Sequence, residues 1–166
     1  GLLDPALPPL AATYQAPYIC MHMKGTPATM QQQPDYQDVV KEVRDFFTER
    51  IQYLESIGIK DVILDPGFGF GKTRAHNYTL LDKLDLLKDC QKPLLAGLSR
   101  KSMIYQPLGL QADDALNGTT AVHMIALMRG ASILRVHDVK EAIQCVRLYH
   151  ELMKSRKTEE HRILPH

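Results

Sequence analysis

The chain lacks most of what marks a secreted, metal-stapled or membrane protein. Its three cysteines, Cys20, Cys90 and Cys145, are odd in number, far apart and never in C-x-x-C spacing. That argues against a disulfide framework or a zinc ribbon and predicts buried or partly buried thiols in a reducing cytosol. H-E-x-x-H, the zinc-protease signature, is absent. The 20 Lys and Arg meet 19 Asp and Glu, for a net charge of +1, a balance that gives no reason to invoke nucleic acid or an acidic membrane. No apolar run nears the roughly 20 residues of a membrane span. The opening GLLDPALPPL has neither the basic region nor the apolar stretch of a signal peptide. Internal repeats and low-complexity tracts are missing too. What is present is 166 residues, 45% of them hydrophobic, enough for one globular domain with a core.

One stretch imitates motifs that it does not contain. DVILDPGFGFGKTRAHN, residues 61–77, ends in Gly71-Lys72-Thr73 like a P-loop. A P-loop would need its first glycine at position 66, which is Pro66. Proline has no N–H to offer a phosphate. The dinucleotide fingerprint G-x-G-x-x-G fails as well, because its third glycine would fall on Lys72 or Arg74. What remains is an apolar strand ending on Asp65, then a loop in which Gly67, Gly69 and Gly71 permit tight folding around Phe68 and Phe70. Taken alone, the stretch reads equally well as a strand-end turn capped by an acid.

Four short aliphatic runs stand out: PYICMHM (17–23), DVILD (61–65), PLLAGLS (93–99) and SILRVHD (132–138). Between them, 35–56, 77–88, 113–129 and 138–154 carry helical periodicity, and a further short helix is expected within 4–15. Strict alternation implies a parallel sheet with crossover helices. Each run passes from apolar to chargeable at its C-terminal end: His22 and Lys24; Asp65; Ser99, Arg100 and Lys101; Arg135 and His137. An open sheet concentrates function at one switch point. A (β/α)8 barrel feeds its active-site rim from several strands, so four chemistry-bearing ends favour a barrel. Only four units are present, however, where a barrel has eight and typically about 250 residues.

MHMKGTPATMQ (21–31), DPGFGFGK (65–72), GLSRKSMI (97–104) and RVHDV (135–139) resemble, in order and spacing, the second half of dihydropteroate synthase, a TIM-barrel family of folate biosynthesis. The resemblance runs to about Lys154. It implies an α/β fold made of strands 5–8 of that barrel over 1–154, with 155–166 a frayed tail and the first four βα units missing. The family condenses 4-aminobenzoate with a hydroxymethyl-dihydropterin pyrophosphate, releasing pyrophosphate, and is a sulfonamide target. Carried over by motif, Asp65 resembles the carboxylate that holds the pterin's pyrimidine edge. Lys101 resembles the lysine that donates to the pterin ring. Arg135 resembles the arginine stacked on it and, with His137, the anion site for the leaving phosphates. Phe70 and Ser99 resemble the aminobenzoate side of the pocket, Met21 an apolar contact to the pterin, and Gly69 a point of close backbone approach. Lys101, Arg135 and His137 are thus the catalytic candidates.

The resemblance further implies a dissociative displacement, with Mg²⁺ and cations stabilising the departing charge. The magnesium ligands would lie mainly in the absent half, so no metal ligand is assigned here. It also implies a cytoplasmic homodimer joined through 113–129 and 138–154, with no nucleic-acid or membrane partner. Two other readings compete. One is a pterin-binding methyltransferase domain with a corrinoid partner, against which the Ser99-Arg100-Lys101 stretch and RVHDV speak. The other is a non-catalytic half-barrel serving binding or assembly. The 166 residues alone are expected to be inactive and to self-associate.

Overall fold

In the computed structural model, residues 4–25 and 34–163 are described, with side chains described as far as Arg156. Residues 26–31 of the first motif and 164–166 of the tail lie outside them. The element order is α1 (Leu7–Thr13), β1 (Tyr18–Met21), α2 (Val39–Ser56), β2 (Val62–Asp65), α3 (Arg74–Asp82), β3 (Leu95–Ala96), α4 (Ser102–Tyr105), α5 (Leu116–Met128), β4 (Ile133–Leu134) and α6 (Val139–Ile163). Short 3-10 turns at Leu84–Cys90 and Ala112–Asp114 complete it. The alternation read from the sequence is therefore present, with α4 added.

All strand pairs are parallel and follow chain order. β1 lies on β2 with Tyr18 opposite Val62 and Met21 opposite Asp65. A single bridge, Leu64 to Leu94, joins β2 to β3, with Leu64 N–H donating to the Pro93 carbonyl at 2.9 Å. β3 lies on β4 through Leu95–Ile133 and Ala96–Leu134. The strands are shorter than the apolar runs. Pro93 has no N–H for the ladder, and after Ala96 the chain turns at Leu98–Lys101, where Lys101 N–H reaches the Leu98 carbonyl.

Alternation along the strands sorts the side chains. Tyr18, Cys20, Val62 and Leu64 are buried among the helices, with Val43, Phe47, Leu54, Leu80 and Leu84 in the same core. Ile19 and Ile63 point the other way. Ile19 stays 53% exposed, and Met21 and Asp65 continue this second face at the C-terminal ends.

Four boundaries depart from the sequence reading, each for a local reason. α2 starts at Val39 rather than 35, because Asp38 caps it by accepting from the N–H groups of Val40 and Lys41. The expected helix over 77–88 divides in two. Thr73 and His76 form a capping box that starts α3 at Arg74, and the buried Leu84 and Leu87, three apart, suit the 3-10 turn that follows. α5 begins at Leu116, after the 3-10 turn, rather than at 113. α6 continues past the expected end at Lys154 to Ile163. On α6, Ala142 and Cys145 are buried, but Ile143 and Leu152, expected on the inner stripe, are exposed. Cys20 and Cys145 are buried, Cys90 is partly so, and all three are free. Among the described residues, no helix is long and apolar enough to cross a membrane.

Candidate active site

The C-terminal ends of the four strands gather the charged groups. Parallel pairing puts Met21 opposite Asp65 at the ends of β1 and β2. His22 N–H donates to the Asp65 backbone carbonyl at 2.9 Å and so extends that ladder. The loop after Asp65 folds back at once: Gly67 N–H donates to Asp65 Oδ1 at 2.8 Å, and Phe70 N–H closes a turn on the Gly67 carbonyl at 3.0 Å. Asp65 is thus a turn cap, as one reading of the sequence held, and still half-buried at the strand end. Gly67 needs its missing side chain. Its φ is +69° and a Cβ there would fall on the His22 carbonyl oxygen.

β3 delivers the next group. Lys101 reaches back across the loop, its ammonium donating to the Phe68 carbonyl and lying 4.8 Å from the centre of the Phe70 ring. A Cβ on Gly69 would meet the Lys101 chain at 3.4 Å, so the bare backbone of Gly69 lets the lysine lie against the loop. Ser99, buried, accepts from the His137 N–H at 3.2 Å, and its Oγ lies 2.9 Å from His137 Nδ1. Arg100 between them adopts φ +55°. Its side chain grips Asp138 with Nε at 3.0 Å and Nη2 at 2.6 Å, and Asp113 with Nη1 at 3.1 Å. This ties the loop after β3 to the start of α6. On β4, Arg135 N–H bonds the Ala96 carbonyl at 3.1 Å and the residue is exposed, as is His137.

The groups act on one another electrically. Burial raises Asp65 above the ordinary carboxylate range, opposed by the Gly67 N–H and by the charges of Lys101, Lys72 and Arg135. Burial lowers Lys101 to about 8, with Asp65 opposing and Arg135 adding to the fall. Lys72, buried beneath the loop, is lowered by burial to about 7. His22 is lowered to about 3, first by burial and then by Lys72 and Lys24, so it is neutral near pH 7. Among the described residues, no group of three or more His, Cys, Asp or Glu is arranged to hold a metal ion.

The expected residues Met21, Asp65, Gly69, Phe70, Ser99, Lys101, Arg135 and His137 therefore all stand at one end of the strands. Asp65, Gly69, Phe70 and Lys101 share contacts or charge, and Ser99 and His137 form a second pair. Lys24, read as a strand-end charge, turns away to pair with Glu42 at 2.8 Å. Two residues were missed. Arg100 is the clasp of its loop; its signal was its place between Ser99 and Lys101, with Asp113 and Asp138 further along. Lys72 was set aside with the failed phosphate motif, and Thr73 beside it is the cap of α3.

The chain is similar to proteins of known type. Residues 1–137 match the model of a family described as pterin binding enzyme. The dihydropteroate synthase of Escherichia coli strain K12 is 43% identical over 161 residues, which are 96% of this chain and 57% of that protein. The crystal structure of the Yersinia pestis dihydropteroate synthase with a sulfonamide drug superposes with a TM-score of 0.90 at 40% identity, over 93% of this chain and 57% of that one. The Thermus thermophilus dihydropteroate synthase in complex with 4-aminobenzoate superposes with a TM-score of 0.87 at 39% identity, over 92% of this chain and 63% of that one. The chain spans about half the length of most of the curated relatives it matches, and less of the bifunctional ones.

Proposed function

The chain belongs to the family of pterin-binding enzymes, and from that premise we propose that it supplies half of the active site of a dihydropteroate synthase. Its four parallel strands correspond to strands 5–8 of a TIM barrel, and the substrates are a hydroxymethyl-dihydropterin pyrophosphate and 4-aminobenzoate. The observation that carries the reading is the meeting, at one end of the strands, of a half-buried carboxylate, Asp65, with the charges of Lys101 and Arg135. A carboxylate accepts two parallel hydrogen bonds from a ring N–H and its neighbouring amine. Lys101 then donates to the pterin ring, and the planar guanidinium of Arg135 stacks on its face. Met21, opposite Asp65, packs on the pterin.

In the reaction, the bond from the pterin methylene to the pyrophosphate oxygen breaks, and its electron pair leaves with the pyrophosphate. The aminobenzoate nitrogen forms the new carbon–nitrogen bond and loses its proton to solvent or to the departing pyrophosphate. Arg135 and His137 hold the departing anion, while Phe70 and Ser99 border the aminobenzoate. The residues' work is positioning and charge stabilisation; none acts as a covalent nucleophile. Among the described residues no group of three or more His, Cys, Asp or Glu is placed to hold a metal; the Mg²⁺ of the reading would take its ligands mainly from outside this chain, and no step is routed through it. The exposed Ile125 and Met128 on α5 and Val139, Ile143 and Leu148 on α6 support a homodimer through these helices. Balanced charge and free thiols support a cytoplasmic enzyme.

Asp65→Asn tests the reading in the protein at its natural length. Calorimetry with the pterin pyrophosphate is expected to give roughly tenfold weaker binding or worse, because a charge-assisted acceptor pair becomes a neutral amide. Equal affinity in variant and wild type overturns the assignment.

A further inference from the structure

The lysine of the false phosphate motif is the most buried cation among the described residues: Lys72 is 3% exposed. Its Nζ lies 3.0 Å from the Gly67 carbonyl, 3.1 Å from the Phe70 carbonyl and 3.0 Å from His22 Nδ1. An ammonium has three N–H donors and no acceptor. Against an ammonium, neutral His22 can only accept at Nδ1, which puts its proton on Nε2. Three donors therefore meet three acceptors. An apolar side chain here would take this donor from the part-buried Phe70 carbonyl and leave the Gly67 carbonyl with the Phe70 N–H alone.

Those carbonyls belong to the two ends of one turn, Gly67 to Phe70, closed by the Phe70 N–H on the Gly67 carbonyl. The same turn carries the Gly67 N–H held by Asp65, the Phe68 carbonyl held by Lys101 and the Phe70 ring below the Lys101 ammonium. Lys72 lies under this loop and acts through it. We propose that Lys72 is a positioning residue whose ammonium fixes the Gly67–Phe70 turn, so that Asp65 and Lys101 are held for the pterin and Phe70 for the aminobenzoate. The inference rests on the pterin reading for the identity of the substrates, though not for the loop geometry.

The charged and titratable groups facing Lys72 are Asp65 from the end of β2, Lys101 from the loop after β3 and His22 from the end of β1, with Lys24 and Glu42 beyond His22. Burial holds the ammonium at about 7. Above that pH the bonds to the two carbonyls lose the charge that strengthens them, so the turn loosens as pH rises.

The test uses the protein at its natural length, with ¹³C-labelled lysine and ¹⁵N-labelled backbone followed by NMR against pH. Lys72→Met assigns the lysine signal. The Lys72 Cε signal is expected to titrate near 7, with the amides of Gly67, Gly69 and Phe70 following the same midpoint. In Lys72→Met that common transition disappears, and kcat/KM for both substrates falls at least about tenfold near neutral pH in protein that melts as one folded species. Loop amides silent through the Lys72 transition, wherever it falls, or wild-type kcat/KM in Lys72→Met each overturn the proposal. Should Lys72→Met not fold, the wild-type titration decides alone. Asp65→Asn run in parallel separates the two ideas: unchanged pterin affinity there removes the pterin reading, while a shared loop transition keeps Lys72 as the positioning cation of the turn.

Discussion

At the scale of the residue, glycine does most to shape the site. Three glycines, Gly67, Gly69 and Gly71, alternate after Asp65-Pro66. The loop passes so close to the β1 end that Gly67 has no room for a side chain against the His22 carbonyl, and Gly71 none against the Lys24 carbonyl. Gly58, at the end of α2, has a similar positive φ, +93°, but open space around it. The two positions separate strain from collision. Gly58→Ala is expected to cost about 1–2 kcal/mol, the cost of a left-handed backbone alone. Gly67→Ala adds a clash with backbone and should cost clearly more, with the loop displaced. Urea unfolding of both variants checks this, and an equal cost would mean that the approach to His22 is not tight. Asp65 and Lys101 were legible from type and place in a strand-end motif. Lys72 was not, because nothing in a sequence says that a lysine after glycines turns inward to serve carbonyls.

At the scale of the element, the order of strands and helices was legible and their limits were not. Apolar runs marked where strands lie, but pairing needs N–H groups and straight backbone, which Pro93 and the turn at Leu98–Lys101 interrupt. Periodicity marked the second helix over 77–88, yet could not tell an α-helix from a 3-10 turn when Leu84 and Leu87 suit the latter. The contact that ties the loop after β3 to α6 shows in the sequence only as residue types, not as a pairing: Arg100 joins that loop to Asp138 at the head of α6. Arg100 holds φ +55° to do so. Arg100→Gly loses the clasp but suits that backbone, whereas Arg100→Ala loses the clasp and keeps the strain. Stability is expected to fall in the order wild type, Gly, Ala, measured as denaturation midpoints. A Gly variant no more stable than the Ala variant would show that the left-handed residue stores no strain.

At the scale of the whole molecule, and among the described residues, helices cover one face of the strands while Ile19 on the other is exposed. Leu7, Leu10 and Tyr14 are exposed on α1. β1 and β4 each have one partner among the described residues. Open edges and apolar surface of this kind are covered by association. As 166 residues alone, the chain is expected to elute as an oligomer, while a monodisperse monomer in light scattering would show that the face is covered from within. The parallel α/β arrangement was legible because strict alternation of apolar runs and helical periods permits little else; the exposure of Ile19 on the second face was not, because alternation along a strand does not say which face is covered. The central claim, that these strand ends form the pterin side of a synthase, is tested most directly by turnover. The protein at its natural length is given the pterin pyrophosphate with and without 4-aminobenzoate, and pyrophosphate and dihydropteroate are measured together. The account predicts aminobenzoate-dependent release of pyrophosphate with matching dihydropteroate, and neither from the 166 residues alone; absence of both from the protein at its natural length would contradict it.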